Sequence, residues 1–175
     1  MVSSLDGFIA KKDGDVTWLQ SNDSYENGVV LTEEAINEFL KKIDCYVMGA
    51  HTYEQALELG WPYGDVPVFV LTHRNLTSKR NSVQFYSGVL THFVQNILQP
   101  NYQNVWLVGG AELTRNFIQE RLVNEIVISI MPVLLGEGLP FFDNVKGETN
   151  LHLLDVKAYK DGMVELTYQI REDSD

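Results

Sequence analysis

The chain has 175 residues, 45% of them hydrophobic and 11% aromatic, which is enough apolar material for one sizeable core and excludes a disordered chain. Its formal net charge of −11 argues against a nucleic-acid partner, which would meet a basic surface. One cysteine, Cys45, excludes an intramolecular disulfide framework, and no apolar run reaches the length of a membrane span.

The first residues, MVSSLDG, lack the basic start and apolar stretch of a secretion signal, so a cytoplasmic protein is the expectation. TEEAINEFLKKI (32–43) predicts a helix, with Ala35, Ile36, Phe39, Leu40 and Ile43 on one face. Thr32 suits its N-cap, Glu33 and Glu34 its first turn, and Lys41 and Lys42 its end. CYVMG (45–49), VPVFVLT (66–72) and VWLVGG (105–110) are nearly continuous apolar runs, as in strands buried on both faces of a parallel sheet. THFVQNILQ (91–99) and AELTRNFIQERL (111–122) have amphipathic helical spacing. EIVISIMPVLL (125–135) is a strand signal broken by Pro132. LHLLDVKAY, KDG and MVELTYQIR read as an antiparallel hairpin turning at Asp161-Gly162, and REDSD as a solvated end. Strand–helix alternation followed by a hairpin predicts an α/β fold. The expected architecture is a three-layer αβα domain over residues 1–175, with a mostly parallel central sheet and antiparallel C-terminal strands. Ligands of such sheets bind at the carboxyl ends of the strands.

Two of the buried runs end in glycine just before a helix signal. CYVM meets Gly49 and then AHTYEQAL; VWLV meets Gly109-Gly110 and then AELTRNFI. Glycine at such a place either makes a tight turn or lets a ligand reach the backbone. A helix start offers unpaired N–H groups and partial positive charge, which suit phosphate. Neither turn is the G-x-G-x-x-G fingerprint or a P-loop. Two turns at one sheet edge could grip a dinucleotide from two sides.

Six stretches in order carry a family resemblance: SLDGFIA (4–10), DGDVTWL (13–19), DCYVMGAHTYEQ (44–55), PVFVLTHR (67–74), VWLVGGAELTRNFI (105–118) and EIVISIMPVLLGEGLPFF (125–142). With these the chain resembles the dihydrofolate-reductase-like superfamily. Within it, the chain resembles the reductase domain of the bacterial riboflavin-biosynthesis deaminase-reductase. The resemblance implies an NADPH-dependent reductase of a small heterocyclic substrate, such as 5-amino-6-(5-phosphoribosylamino)uracil. It assigns the cofactor phosphates to Gly49, Ala50, His51 and Thr52 on one side. On the other side it assigns Val108, Gly109 and Gly110 with Ala111, Glu112 and Leu113. Leu71, Thr72, His73 and Arg74 match the strand end along the adenosine, and Ile9 and Ala10 match positions beside the nicotinamide. A cis peptide between the two glycines is a family trait, and so is pairing as homodimers.

On the substrate side, Trp18 is followed five residues later by Asp23, the offset of the pterin-contacting acid in bacterial dihydrofolate reductases. Asp23 is therefore either the catalytic acid or a solvated loop aspartate. Trp18 is placed by the resemblance against a substrate ring, with core filling as the other reading. Asp6 is a substrate-side residue by the resemblance or, with Gly7, a turn former. The riboflavin-pathway reductases carry a phosphate-binding Arg on the helix before the second strand; residues 37–40 here are Asn, Glu, Phe and Leu. Many dihydrofolate reductases hold the 2′-phosphate with an Arg after Met-Gly, where this chain has Ala50; His51, His73 and Arg74 are the alternatives.

The four histidines, at 51, 73, 92 and 152, have no metal-ligand spacing. Cys45 and Trp106 read as core. Trp61 and Tyr63 lie in a loop and face solvent, a partner or ligand, and LLGEGLP (134–140) is a plain turn or a loop by the cofactor. Three functions remain open: a riboflavin-type reductase, an authentic dihydrofolate reductase needing Asp23 as acid, and a nucleotide-binding module without catalysis.

Overall fold

The three apolar runs become strands, and each glycine that ends a run stands at a helix start. The computed structural model describes residues 1–142 and 145–171; apart from Arg171, the acidic tail read in the sequence lies outside them. In chain order the elements are β1 (Val2–Ser4), β2 (Phe8–Ala10), α1 (Glu33–Leu40), β3 (Cys45–Gly49), α2 (Ala50–Glu58), β4 (Val68–Leu71) and β5 (Val83–Tyr86). There follow α3 (Leu90–Phe93), α4 (Gln99–Asn101), β6 (Val105–Gly109), α5 (Ala111–Gln119), β7 (Glu125–Met131), β8 (Leu139–Pro140), β9 (Leu151–Ala158) and β10 (Val164–Ile170). The chain forms two compact units, one of Met1–Glu33 with Val123–Asp175 and the other of Glu34–Leu122.

The Glu34–Leu122 unit is built on a four-stranded parallel sheet in the order β5-β4-β3-β6. Cys45, Tyr46, Val47 and Met48 of β3 are all buried, as are Val68, Phe69 and Val70 of β4. This explains the unbroken apolar runs: central parallel strands have no solvent face. Tyr46, Met48, Tyr53, Ala56, Trp61, Val68, Val70 and Val83 make one core cluster. Trp61 and Tyr63 pack into it. Trp61 is buried, donates from Nε1 to the Gly64 carbonyl at 2.9 Å and lies under the Arg80 guanidinium. The starts of β3 and β6 are stitched together by Asp44, whose Oδ2 accepts from the backbone N–H groups of Gln103 and Asn104. Burial pushes the Cys45 thiol up to about 12, so it is inert packing.

Two elements depart from the sequence reading. The apolar face of α1 is half exposed, with Ile36 at 41% and Phe39 at 44%, although Phe39 makes an edge contact with Trp106. The helix read at 91–99 runs through residues 90–101 with a π turn at Val94–Leu98 between α3 and α4. Pro100 has no N–H to continue an α ladder there.

The other unit holds a sheet in the order β1-β7-β10-β9, in which β1 runs parallel to β7 and the remaining pairs are antiparallel. β7 ends at Met131, directly before Pro132. The β9–β10 hairpin turns where the sequence placed it: Gly162 has φ +81°, and Met163 N–H donates to Asp161 Oδ1. β2 pairs with β8. No helix among the described residues is long and apolar enough to cross a membrane.

Candidate functional site

The chain lays down β3, β4 and β5 in one direction across the parallel sheet and then places β6 on the opposite side of β3. The carboxyl ends of β3 and β6 therefore flank a topological switch point, where open α/β sheets bind ligands. Both ends are glycine turns. Gly49 is the N-cap of α2 and Gly110 the N-cap of α5, and neither helix start has a side-chain cap. Their first N–H groups are thus free of side-chain acceptors at the place where the helix dipoles are positive.

The two turns meet. A Cβ built on Gly49 would stand 3.9 Å from Gly109 O and Gly110 N, and one built on Gly110 would stand 3.7 Å from Thr52 Oγ1. Those are ordinary contact distances. The φ values are −81° and −77°, which any residue adopts. At 49 and 110 neither φ nor contact of a Cβ with residues beyond the chain neighbours requires glycine. Gly109 differs: its φ is +119°, and the peptide joining it to Gly110 is cis. Val108 precedes it on β6, and Ala111 and Leu113 are half-buried in the first turn of α5 while Glu112 is exposed.

Next along the rim is the end of β4. Gly49 is in register with Leu71, and Leu71 with Tyr86. Thr72 turns the chain by accepting the Arg74 N–H on Oγ1 at 3.0 Å, and His73 Nδ1 lies 2.9 Å from Ser87 Oγ. Arg74 reaches back to α2 and grips Glu54 with both terminal nitrogens, Nη1 to Oε2 at 3.0 Å and Nη2 to Oε1 at 2.6 Å. These hydrogen bonds hold the Glu54 carboxyl below its usual range, with a smaller push from the charge of His51. Gly49–Thr52, Leu71–Arg74 and Val108–Leu113 are thus brought to one rim. Glu54 and Ser87 belong to it as well; sequence reasoning missed both, since the Glu54–Arg74 pair spans 20 residues with no local signal.

The remaining candidates lie in the other unit. The Asp6 carboxylate is engaged by its own protein. Ser4 Oγ donates to Oδ1 at 2.6 Å, and the N–H groups of Leu135 and Gly136 donate at 2.7–3.1 Å. The Ser4 hydroxyl first, and then those amides, hold its carboxyl below the usual range. Asp6 thus tethers the 134–140 loop, and Gly138 of that loop is a packing glycine, since a Cβ there would collide with Ala10 O on β2. Ile9 is half-buried on the same strand. Trp18 sits on a 3₁₀ turn, buried in a cluster with Met131, Tyr159 and Met163. Asp23 is exposed and lies over the hairpin turn, where a Cβ on Gly162 would strike its carboxylate. The structure thus uses Asp6 and Trp18 for tethering and packing, and sets Asp23 at a surface turn. Among the described residues, no three His, Cys, Asp or Glu side chains gather where a metal ion could be held.

A mixed α/β chain with a parallel four-stranded sheet, glycine turns at its switch point and a C-terminal antiparallel sheet has the dihydrofolate-reductase-like fold. The chain belongs to the RibD C-terminal domain family, whose model matches residues 1–165. It is 33% identical over 158 residues to YwjB, an uncharacterized protein of Bacillus subtilis (strain 168), covering 89% of this chain and 87% of that one. Among solved structures it is similar to a putative riboflavin biosynthesis protein from Shewanella sp. PV-4, with a TM-score of 0.82, 27% identity and coverage of 98% and 97% of the two chains. The diaminohydroxyphosphoribosylaminopyrimidine deaminase/5-amino-6-(5-phosphoribosylamino)uracil reductase of Thermotoga maritima shares the fold at a TM-score of 0.70 and 15% identity. That match takes in 97% of this chain and 55% of the larger protein.

Proposed function

We propose that the chain is an NADPH-dependent reductase of a small heterocyclic substrate, resembling the aminouracil reductase of riboflavin biosynthesis. The observation that carries this reading is the pair Gly49 and Gly110. Both are glycines with ordinary φ and with room for a Cβ, side by side at uncapped helix starts. A missing side chain that neither φ nor the space for a Cβ demands is accounted for by a ligand that presses on the backbone. A pyrophosphate would sit on these N–H groups, with the adenosine along Leu71–Arg74. When bound, the nicotinamide supplies the hydride; the chain's part is to fix its position and to keep water from it.

The test is titration of the full chain with NADPH and with NADH, read by quenching of tryptophan fluorescence, followed by a turnover screen on pterin and aminouracil substrates. Micromolar NADPH binding with turnover of an aminouracil is expected. Binding without any turnover would instead favour the nucleotide-binding module, and no binding would remove the assignment.

We further propose that a second copy of the chain covers β9. This strand is the outer member of its sheet, and Leu151, Leu153, Leu154 and Val156 are 40–52% exposed. Leu151, Leu153 and Val156 continue the apolar face of Ile170, Tyr168 and Leu166. An open apolar edge strand is suited to pairing with its own copy about a two-fold axis. Its charges do not oppose this, because Lys157 and Asp155 are paired at 3.2 Å. Sedimentation equilibrium should return twice the 19.9 kDa of one chain, and a monomer at micromolar concentration would refute the pairing.

A further inference from the structure

The Glu54–Arg74 pair is an exposed ion pair, with 38% and 57% of the two side chains accessible, so little of the fold's stability rests on it. Its geometry is nevertheless specific. A carboxylate takes both ends of the guanidinium fork, the arrangement in which Arg also takes phosphate. The pair stands at the end of β4, one strand over from the Gly49 turn, about 4.8 Å across the sheet. His51, one helical turn before Glu54, and His73, held by Ser87, flank it.

We propose that Glu54 is a displaceable stand-in for phosphate that competes with the 2′-phosphate of NADPH for Arg74 and so sets how strongly the chain prefers NADPH to NADH. The inference rests on the reading of the rim as a dinucleotide site. A phosphate dianion arriving at Arg74 must break the existing fork and then sit beside a carboxylate of like charge. The 2′-hydroxyl of NADH meets no such competition and is itself a donor to a carboxylate. Glu54 is therefore a positioning residue: it acts on the cofactor through Arg74, and it lowers a preference that Arg74 alone would make steep.

Glu54→Gln keeps the size and helical setting of the side chain and removes its charge. Dissociation constants for NADPH and NADH are measured on the wild-type full chain and on this variant at one ionic strength. NADPH affinity should rise about fivefold or more, with NADH changed by less than about twofold. Glu54→Ala should shift the ratio the same way, and circular dichroism checks both folds. In an Arg74→Gln background the same change at Glu54 should move the ratio much less, by only the direct like-charge repulsion that remains once there is no fork to compete for. Binding of both cofactors with an unchanged ratio in Glu54→Gln and Glu54→Ala would overturn this proposal alone. Binding of neither to the wild type would overturn the reading of the rim, and this proposal with it.

Discussion

Gly110→Val should weaken NADPH binding about a hundredfold or more, while the protein folds as before. The backbone at Gly110 has φ −77° and ψ −166°, an extended conformation that a β-branched residue favours. The first atom added has ordinary contact room, since its nearest neighbour is Thr52 Oγ1 at 3.7 Å. The branched methyls, however, add bulk at the uncapped start of α5, where on the proposed reading the phosphate would approach. Two charge-assisted hydrogen bonds that a bound phosphate would take from backbone N–H groups, at roughly 1.5–3 kcal/mol each, would then be lost or lengthened. Calorimetric titration reads the affinity, and circular dichroism with a melting curve reads the fold. Gly110→Ala should fall between wild type and valine. Wild-type affinity in the valine variant would mean that the turn is only a turn, and the dinucleotide assignment would lose its support. Gly109 is unsuitable for this experiment, because at φ +119° any side chain strains the backbone whatever binds there.

What could be read from the sequence divides by how local the information is. The glycine turns were legible because each is a contiguous event: an apolar run, a glycine and a helical face. β7 stops at Pro132, and the hairpin turns at Gly162, for equally local reasons. The order β5-β4-β3-β6, which makes the turns neighbours, depends on pairing between distant segments and on β5, whose four residues carry no strong pattern. The π turn before Pro100 and the Glu54–Arg74 fork were hidden for the same reason. Asp6 and Trp18 show a different limit. A residue type suited to a ligand is equally suited to a loop tether or a core, and only their partners, Leu135 and Gly136 for Asp6 and Met131, Tyr159 and Met163 for Trp18, display the use the fold makes of them.

Phe93→Ala should destabilise the fold by about 3–5 kcal/mol, lowering the melting temperature by on the order of 10 °C. Phe93 is fully buried, with its ring 5.2 Å from Phe69 on β4 and 4.6 Å from Tyr86 at the end of β5. Removing it opens a cavity beneath the two strands whose ends carry His73, Arg74 and Ser87. Neighbouring aromatic rings held by strands collapse poorly into such a space, which keeps the loss at the upper part of the range. Urea unfolding with an unchanged slope would identify the loss as native-state packing. Ligand linkage then ties this core to the rim. NADPH at about a hundred times its dissociation constant should return about 2.7 kcal/mol to Phe93→Ala. The same concentration should return almost nothing to Gly110→Val, whose core is whole and whose proposed phosphate turn would be blocked. A Phe93→Ala protein that loses less than about 1 kcal/mol would show that the ring is not part of the packed core. If wild type is stabilised by saturating NADPH and Phe93→Ala is not, the cavity has spread to the strand ends, so that core and rim form one cooperative element.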